Sequence, residues 1–211
     1  MAVSLSTLIS DAILDARWGA TMTRELIARA PRAVVSGVHW LETGENRMMR
    51  TVNRWRPPRW MRIWMIAATR GGDGWLWYAM GLVVALFGGP ERFLALGAAT
   101  SSAGVGIALF LKLKRLCARK RPCAIEPHCW ATLLPPDQFS FPSGHTITAF
   151  AVAISLGAFY PAMVAGLLFC AASVAASRIL LGMHYLSDVI AGAGIGGLLG
   201  YAAVAVFRSL G

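Results

Sequence analysis

Charged residues are scarce in this 211-residue chain: they make up 14% of it, against about 25% of a typical soluble domain. Hydrophobic residues reach 56%, and the mean hydropathy is +0.57. This balance argues against a water-soluble monomer. It also excludes an intrinsically disordered chain, because such chains lack the apolar residues that build a core. The length corresponds to about one domain.

Acidic residues are rarer still, with ten Asp and Glu against twenty Lys and Arg, so the formal net charge is +10. An excess of this kind is typical of proteins that bind nucleic acid or an anionic membrane surface. Because the chain is so apolar, we expect membrane lipids as partners and no nucleic acid.

Cysteine is also infrequent, with four residues: Cys117, Cys123, Cys129 and Cys170. Four are too few for a disulfide-held scaffold in a chain of this length. Zinc is a minor alternative for the first three together with His128, but their five-residue gaps differ from the usual C-x2–4-C spacing. Free thiols or a Cys123–Cys129 disulfide explain them more simply, so we predict no metal site and no cofactor.

Long apolar stretches are what the chain has in abundance. Five of them reach or approach the roughly 17–25 residues that a membrane-spanning helix needs. They are residues 74–89, 93–113, 146–160, 162–180 and 187–207. None has a carboxylate near its middle, and a lipid-exposed segment must satisfy its own backbone hydrogen bonds. We therefore predict an all-α integral membrane protein with a bundle of about five to six transmembrane helices.

The first 73 residues differ in kind, with eleven arginines and no uninterrupted apolar stretch of spanning length. Residues 54–64 mix arginine with tryptophan, a composition typical of segments among lipid headgroups. We therefore divide the chain into a basic N-terminal region of interfacial helices, residues 1–73, and a transmembrane domain, residues 74–211. A small solvated helical cap is the alternative for the first region.

The basic residues also predict an orientation. Counting crossings places eighteen of the twenty Lys and Arg residues on the face that carries the N-terminal region and the long loop 114–145. By the positive-inside rule this face is cytoplasmic. We expect the protein in the inner (plasma) membrane of a bacterium.

Three glycines, Gly192, Gly196 and Gly200, recur every fourth residue in the last apolar stretch. Such a stripe of small residues lets another helix approach closely. Packing within one bundle is the favoured interpretation over dimerisation, and the oligomeric state stays open.

The first candidate for chemistry lies where the last apolar stretch begins. His184 and Asp188 are four residues apart, so on a helix the carboxylate would lie beside the imidazole. It would then fix the tautomer and leave the other ring nitrogen as a nucleophile or base. Alone, the pair would more often cap a helix. Arg178, whose planar guanidinium suits bidentate phosphate binding, favours the catalytic interpretation.

The second candidate is the sequence Pro142-Ser143-Gly144-His145 before the third apolar stretch. Ser143 is expected to cap a helix whose free N–H groups, with Gly144, form an anion cradle. His145 would be suited to protonating a leaving oxygen. An ordinary capped helix is the simpler alternative for this tetrapeptide alone.

The third candidate consists of Lys114 and Arg121, followed by Pro122, near the end of the second apolar stretch. Both could be mere membrane anchors. Their basic neighbours are interpreted as anchors: Lys112, Arg115, Arg119 and Lys120.

All three candidates fall on one predicted face, and together they fix eleven positions in order. Three cations, a helix N-terminus and two histidines suit a transferring phosphoryl group, whose charge must be spread over fixed donors. The segments contain no carboxylate cluster for magnesium, so the cations would take the metal's place.

The pattern K-x6-RP, PSGH and SR-x5-H-x3-D over residues 114–188 resembles the type 2 phosphatidic acid phosphatase (PAP2) superfamily. The resemblance implies that His184 attacks phosphorus to form a phosphohistidine and that Asp188 orients it. His145 would protonate the leaving group and then activate water. The residues implied to hold the phosphoryl oxygens are Lys114, Arg121, Ser143, Gly144 and Arg178.

The predicted function is a metal-independent membrane lipid phosphatase. Its substrate would be a lipid phosphomonoester or pyrophosphate, such as phosphatidic acid, phosphatidylglycerol phosphate or a polyprenyl diphosphate. A vanadium-dependent haloperoxidase is an alternative, because vanadate resembles the phosphoryl transition state. A non-enzymatic transporter, which would use the ionisable residues as a relay, is another.

Overall fold

A computed structural model describes residues 32–125 and 137–210, with side chains from residue 43 onward. The helices in chain order are α1 Arg32–Arg54, α2 Arg59–Arg70, a π-helical turn Gly71–Trp75, α3 Leu76–Phe87, α4 Arg92–Cys117, α5 Pro122–Ile125, α6 Gly144–Phe159, a 3-10 turn Pro161–Met163, α7 Val164–Leu180 and α8 Leu186–Arg208. These ranges contain no strand, so the predicted all-α fold is confirmed.

Three helical segments of the described chain are long and apolar enough to cross a membrane: Arg92–Cys117, Pro161–Leu180 and Leu186–Arg208. Helix α6 is apolar but has only 16 residues. The first predicted stretch corresponds to the 12-residue helix α3, which continues from α2 through the π-helical turn. The protein is an integral membrane protein, and spans at these two shorter helices stay a prediction.

Helices α4, α6 and α8 form the centre of the bundle. The glycine stripe of α8 faces the backbone of α6: a Cβ on Gly192 would lie 2.9 Å from the Ser143 carbonyl oxygen, and one on Gly200 would lie 2.8 Å from that of Ala151. Gly196 approaches an α6 carbonyl even more closely. The stripe therefore serves packing within the bundle, which confirms the favoured interpretation, because any side chain here would push α6 away.

Hydrogen bonds join the helices at both ends of the bundle. At one end, the Ser143 backbone N–H donates to the Asp188 carbonyl, 3.1 Å away, which joins the starts of α6 and α8. At the other end, the Tyr160 hydroxyl donates to the Gly88 carbonyl, 2.9 Å away. Since Nη1 of Arg121 also lies 3.2 Å from Nε2 of His184, the three predicted segments of the site lie at the same end of the bundle.

The N-terminal region packs on this bundle. In α2, Met65 and Thr69 are buried, whereas Trp60 is 62% exposed. Residues 1–31 lie outside the described ranges. The interfacial location of residues 1–73 stays a prediction, as does the boundary after residue 73. That position falls inside the π-helical turn Gly71–Trp75, which joins α2 to α3.

Candidate active site

The start of α8 carries the predicted histidine and its carboxylate, and both are buried. The Asp188 Oδ2 accepts a hydrogen bond from the Tyr185 backbone N–H at 2.8 Å. The His184 Nδ1 lies 3.6 Å from the same oxygen, which is beyond hydrogen-bond distance. The predicted pair is therefore adjacent without a direct hydrogen bond, and this carboxylate oxygen instead caps the start of α8.

The other nitrogen of His184 faces a phosphate-binding candidate. Its Nε2 lies 3.2 Å from Nη1 of Arg121. A guanidinium group can only donate, so Nε2 presents its lone pair and the ring proton belongs on Nδ1, toward Asp188. Burial lowers the pKa of His184 to about 3, and the charges of Arg178 and Arg121 add to this against the opposing effect of Asp188. The imidazole is therefore neutral near pH 7.

Arg119 is not a membrane anchor, and that prediction is wrong. Its guanidinium donates to Oδ1 of Asp188 at 2.7 Å, to the Ser187 hydroxyl at 2.8 Å and to Oε2 of Glu45 at 2.5 Å. It also lies 4.0 Å above the Tyr185 ring. Burial opposes its charge, but the two carboxylates outweigh this effect and raise the pKa of Arg119. Nothing in its spacing separates Arg119 from the basic residues around it.

Asp137 joins the two cations of the K-x6-RP segment. Its Oδ2 accepts from Nζ of Lys114 at 2.6 Å, and its Oδ1 accepts from Nη2 of Arg121 at 2.7 Å. Burial would raise the pKa of this carboxyl group, but the two cations lower it overall. Sequence reasoning missed Asp137, because no periodicity connects it with residues on either side of the loop.

Arg178 anchors the turn between α7 and α8 from both its side chain and its backbone. Its Nη1 donates to the Thr69 hydroxyl of α2, and its carbonyl accepts from the N–H groups of Met183 and His184, both at 3.0 Å. Its buried Nε has no hydrogen-bond partner within the described part of the chain. A buried N–H donor beside His184 fits a bound phosphoryl oxygen.

The start of α6 differs in one respect from the prediction. Ser143 occupies the N-cap position, but its side chain makes no capping hydrogen bond. Its hydroxyl instead accepts from the Thr146 hydroxyl at 2.9 Å. Gly144 is closely packed, since a Cβ there would lie 3.0 Å from the Phe110 ring. The N-terminus of α6 is therefore positioned by packing and by backbone contact with α8.

His145 has a carboxylate partner that sequence reasoning missed. Its Nε2 lies 2.7 Å from Oδ1 of Asp73, in the π-helical turn. The two residues are 72 positions apart, and Asp73 belongs to no motif, so spacing carries no signal of their contact.

The structure thus places all eight predicted site residues at one end of the bundle. Direct contacts join His184 to Arg121 and to Arg178, and Asp137 bridges Lys114 and Arg121. The zinc alternative and the Cys123–Cys129 disulfide involve residues 128 and 129, which lie outside the described ranges. The arrangement defines a helical membrane protein whose cationic, partly buried end surrounds a neutral histidine.

The comparison with known families agrees with this arrangement. The pattern of the PAP2 superfamily matches residues 92–210, more than half of the chain, and the protein belongs to that superfamily. It is a phosphoric monoester hydrolase of the PAP2 lipid phosphatase family.

Two kinds of curated relatives are similar in sequence. The decaprenylphosphoryl-5-phosphoribose phosphatase of Mycobacterium tuberculosis is 35% identical over 146 residues, which cover 64% of this chain and 77% of the relative. The lipid A 1-phosphatase of Rhizobium etli is 34% identical over 89 residues, which cover 40% of this chain and 38% of that protein.

Two crystal structures share the fold. Aquifex aeolicus LpxE matches with a TM-score of 0.64 at 25% identity, over 75% of this chain and 93% of the other. The transmembrane PAP2-type phosphatidylglycerolphosphate phosphatase of Bacillus subtilis matches with a TM-score of 0.63 at 19% identity, over 95% of this chain and 97% of the other. The second likeness concerns the fold alone.

Proposed function

We propose that this protein is a metal-independent lipid phosphatase that hydrolyses a lipid phosphomonoester or pyrophosphate through a phosphohistidine. The observation that carries the proposal is the buried His184, whose Nε2 faces the guanidinium of Arg121 at 3.2 Å. A neutral imidazole beside fixed cations is a competent nucleophile toward phosphorus.

The cations would bind and stabilise the transferred group. Lys114, Arg121 and Arg178 are buried at the same end of the bundle, and the backbone around Ser143 and Gly144 adds the N-terminus of α6. In phosphoryl transfer, catalysis is mostly positioning and electrostatic stabilisation of the equatorial oxygens. The Asp137 carboxylate holds two of these cations, so a bound phosphoryl group would share or replace its contacts.

In the first step, Nε2 of His184 would attack phosphorus while the bond from phosphorus to the lipid oxygen breaks. His145 would donate its proton to that oxygen, which leaves as the lipid alcohol or, from a pyrophosphate, as the lipid monophosphate. In the second step, water would attack the phosphohistidine and give a proton to His145, releasing inorganic phosphate and the neutral His184. This cycle requires His145 to begin and end protonated, a form that burial and the charges of Arg178 and Lys114 oppose and that Asp73 favours.

The substrates that we propose are phosphatidic acid, phosphatidylglycerol phosphate and a polyprenyl diphosphate. The names of the relatives support a lipid phosphate in general, because they include a decaprenyl-linked substrate and lipid A. The site lies at the end of the apolar helices, where a lipid headgroup would meet it.

Phosphate release from purified protein in lipid vesicles tests this function. We expect the wild type to hydrolyse at least one of the three substrates, with lipid A and decaprenylphosphoryl-5-phosphoribose as further test compounds. His184→Ala should abolish turnover, and phosphate incorporation into wild type should be acid-labile, as expected for a phosphohistidine. Undiminished turnover by a folded His184→Ala protein would overturn the mechanism.

Phosphate binding has its own matched pair of variants. Lys114→Ala should raise KM or lower kcat/KM by about tenfold, because it removes one charge from the oxyanion site. Lys112→Ala removes the same charge from an exposed position two residues away on α4 and should leave kcat/KM unchanged. Equal effects of the two variants would mean that Lys114 acts only through the general surface charge.

We further propose that the site faces the cytoplasm at a bacterial inner membrane. Alkaline phosphatase is active only outside the cytoplasm, so a fusion after residue 208 should be active and a fusion within residues 123–137 inactive. The reverse pattern would assign the site to the outer face.

A further inference from the structure

The π-helical turn Gly71–Trp75 brings a carboxylate to the second histidine of the site. Gly74 has a φ of 125°, a conformation that strains residues with a Cβ, so the helix bends here. Gly72 is buried: a Cβ on it would lie 2.9 Å from Cγ1 of Val174 and 3.2 Å from Cδ2 of His145. The turn is therefore in close contact with α6 and α7, and the two glycines place Asp73 beside His145.

The contact between Asp73 and His145 is short and specific to one ring nitrogen. Oδ1 of Asp73 lies 2.7 Å from Nε2 of His145. An ionised carboxylate only accepts hydrogen bonds, so Nε2 carries a proton and donates it. The nitrogen left to exchange a proton with a substrate or with water is Nδ1. His184 has the opposite arrangement, because its Nδ1 is the nitrogen on the side of its carboxylate.

The surroundings of His145 make the Asp73 carboxylate important for the protonation of the imidazole. The imidazole experiences the positive charges of Arg178 on α7 and Lys114 on α4, and Asp73 is the acidic group that acts on it from the π-helical turn. A general acid must carry its proton before the leaving group departs. Burial and the two nearby cations oppose that protonated form, and the Asp73 carboxylate is the group that favours it.

We propose that Asp73 is a positioning residue that holds His145 with Nε2–H toward the turn and Nδ1 toward the reacting group. This inference rests on the proposed function, since it assigns His145 the proton transfers of that reaction. Asp73 precedes residues 92–210, which the family pattern matches, so the contact is supplied by a segment outside the motif region.

The test compares leaving groups. The substrates are a long-chain alkyl phosphate and a nitrophenyl phosphate that bears the same alkyl chain. Protonation by His145 is essential for the alkoxide and nearly unnecessary for the nitrophenolate. Asp73→Asn should lower kcat/KM for the alkyl phosphate by about 10- to 100-fold and for the nitrophenyl phosphate by no more than about threefold. kcat/KM is the right quantity because it reports the steps up to release of the leaving group.

An equal fall in kcat/KM for both substrates would show that Asp73 only stabilises the structure of the site, and it would overturn the inference. Unchanged kcat/KM for the alkyl phosphate would overturn it as well. In a His145→Ala background, Asp73→Asn should cause no further loss, whereas an additive loss would mean that Asp73 acts independently of His145.

Two controls separate this inference from the proposed function. Glu91→Gln removes an exposed carboxylate next to the start of α4, at the opposite end of the bundle, and should leave both substrates unaffected. His184→Ala should abolish hydrolysis of both. If His184→Ala retains activity, the proposed function fails; if only the leaving-group difference is missing, the role of Asp73 fails and the function stands.

Discussion

The two parts of the described chain contribute to the site in different ways. Residues 92–210 carry all eight predicted site residues, in the segment that the family pattern matches. Residues 32–91 carry no motif, yet Glu45 contacts Arg119, Thr69 contacts Arg178 and Asp73 contacts His145. One region therefore holds the proposed reagents, and the other contacts them and is proposed to orient them.

The physical reason lies in the scarcity of acidic residues. Buried cations and imidazoles need hydrogen-bond acceptors, and the chain has only ten Asp and Glu. Asp188 and Asp137 supply part of this need, and α1 and the π-helical turn supply Glu45 and Asp73. The predictions below test this division, from the largest expected effect to the smallest.

Asp188→Asn changes the carboxylate that belongs to the matched region. We expect a fall in kcat of about 1,000-fold or more, because the amide no longer favours the proton on Nδ1 of His184 and Arg119 keeps only one of its two carboxylate partners, Glu45. Phosphate release and circular dichroism on the same samples would measure activity and folding. A folded variant with more than a tenth of wild-type activity would contradict the proposed role.

Arg119→Ala removes the link between the two regions. We expect kcat to fall by about 10- to 100-fold, because Asp188 loses a charged hydrogen bond at 2.7 Å and Glu45 loses its cationic partner. Lys120→Ala, an exposed neighbour, serves as the matched control and should behave as wild type. Equal activity of both variants would return Arg119 to the role of a membrane anchor.

Glu45→Gln tests the N-terminal region alone. The variant keeps the size of the side chain but removes the charge that Arg119 contacts, so we expect a loss of about 2- to 10-fold in kcat and little change in KM. Arg119→Ala should reduce this effect, since Glu45 would then contact α8 through the hydrogen bond that its Oε1 accepts from the Ser187 backbone N–H at 2.8 Å. A loss as large as that of Asp188→Asn would mean that α1 contributes more than orientation.

The smallest expected effect is that of pH on the protonation state of His184. Burial lowers its pKa from 6.5 to about 3, so the ring takes up a proton only as the pH falls toward 3 and stays neutral from pH 8 to pH 5. Its Cε1–H NMR signal, assigned by its absence in His184→Ala, should not shift over this range. A midpoint near 6.5 would show that the ring is not buried as described.

Much of the fold could be predicted because hydropathy reports burial in lipid one segment at a time. The apolar stretches at 93–113, 162–180 and 187–207 correspond to three long helices, and the glycine stripe predicted the contact between α8 and α6. The position of helix α2 was harder to predict, because its Arg and Trp residues are typical of a lipid headgroup layer. Its contact with α7 depends on Met65 and Thr69, which are buried. Periodicity does not say which neighbour covers a helix.

The sequence by itself determined the class of the protein and predicted which residues form the site, because the three motifs prescribe chemical groups at fixed local spacing. Only the tertiary structure decided how those groups are oriented. Asp188 is hydrogen-bonded to Arg119 and not to His184, Asp137 bridges two cations, and Asp73 holds His145. Contacts between residues tens of positions apart arise from how helices pack, and no local pattern encodes them.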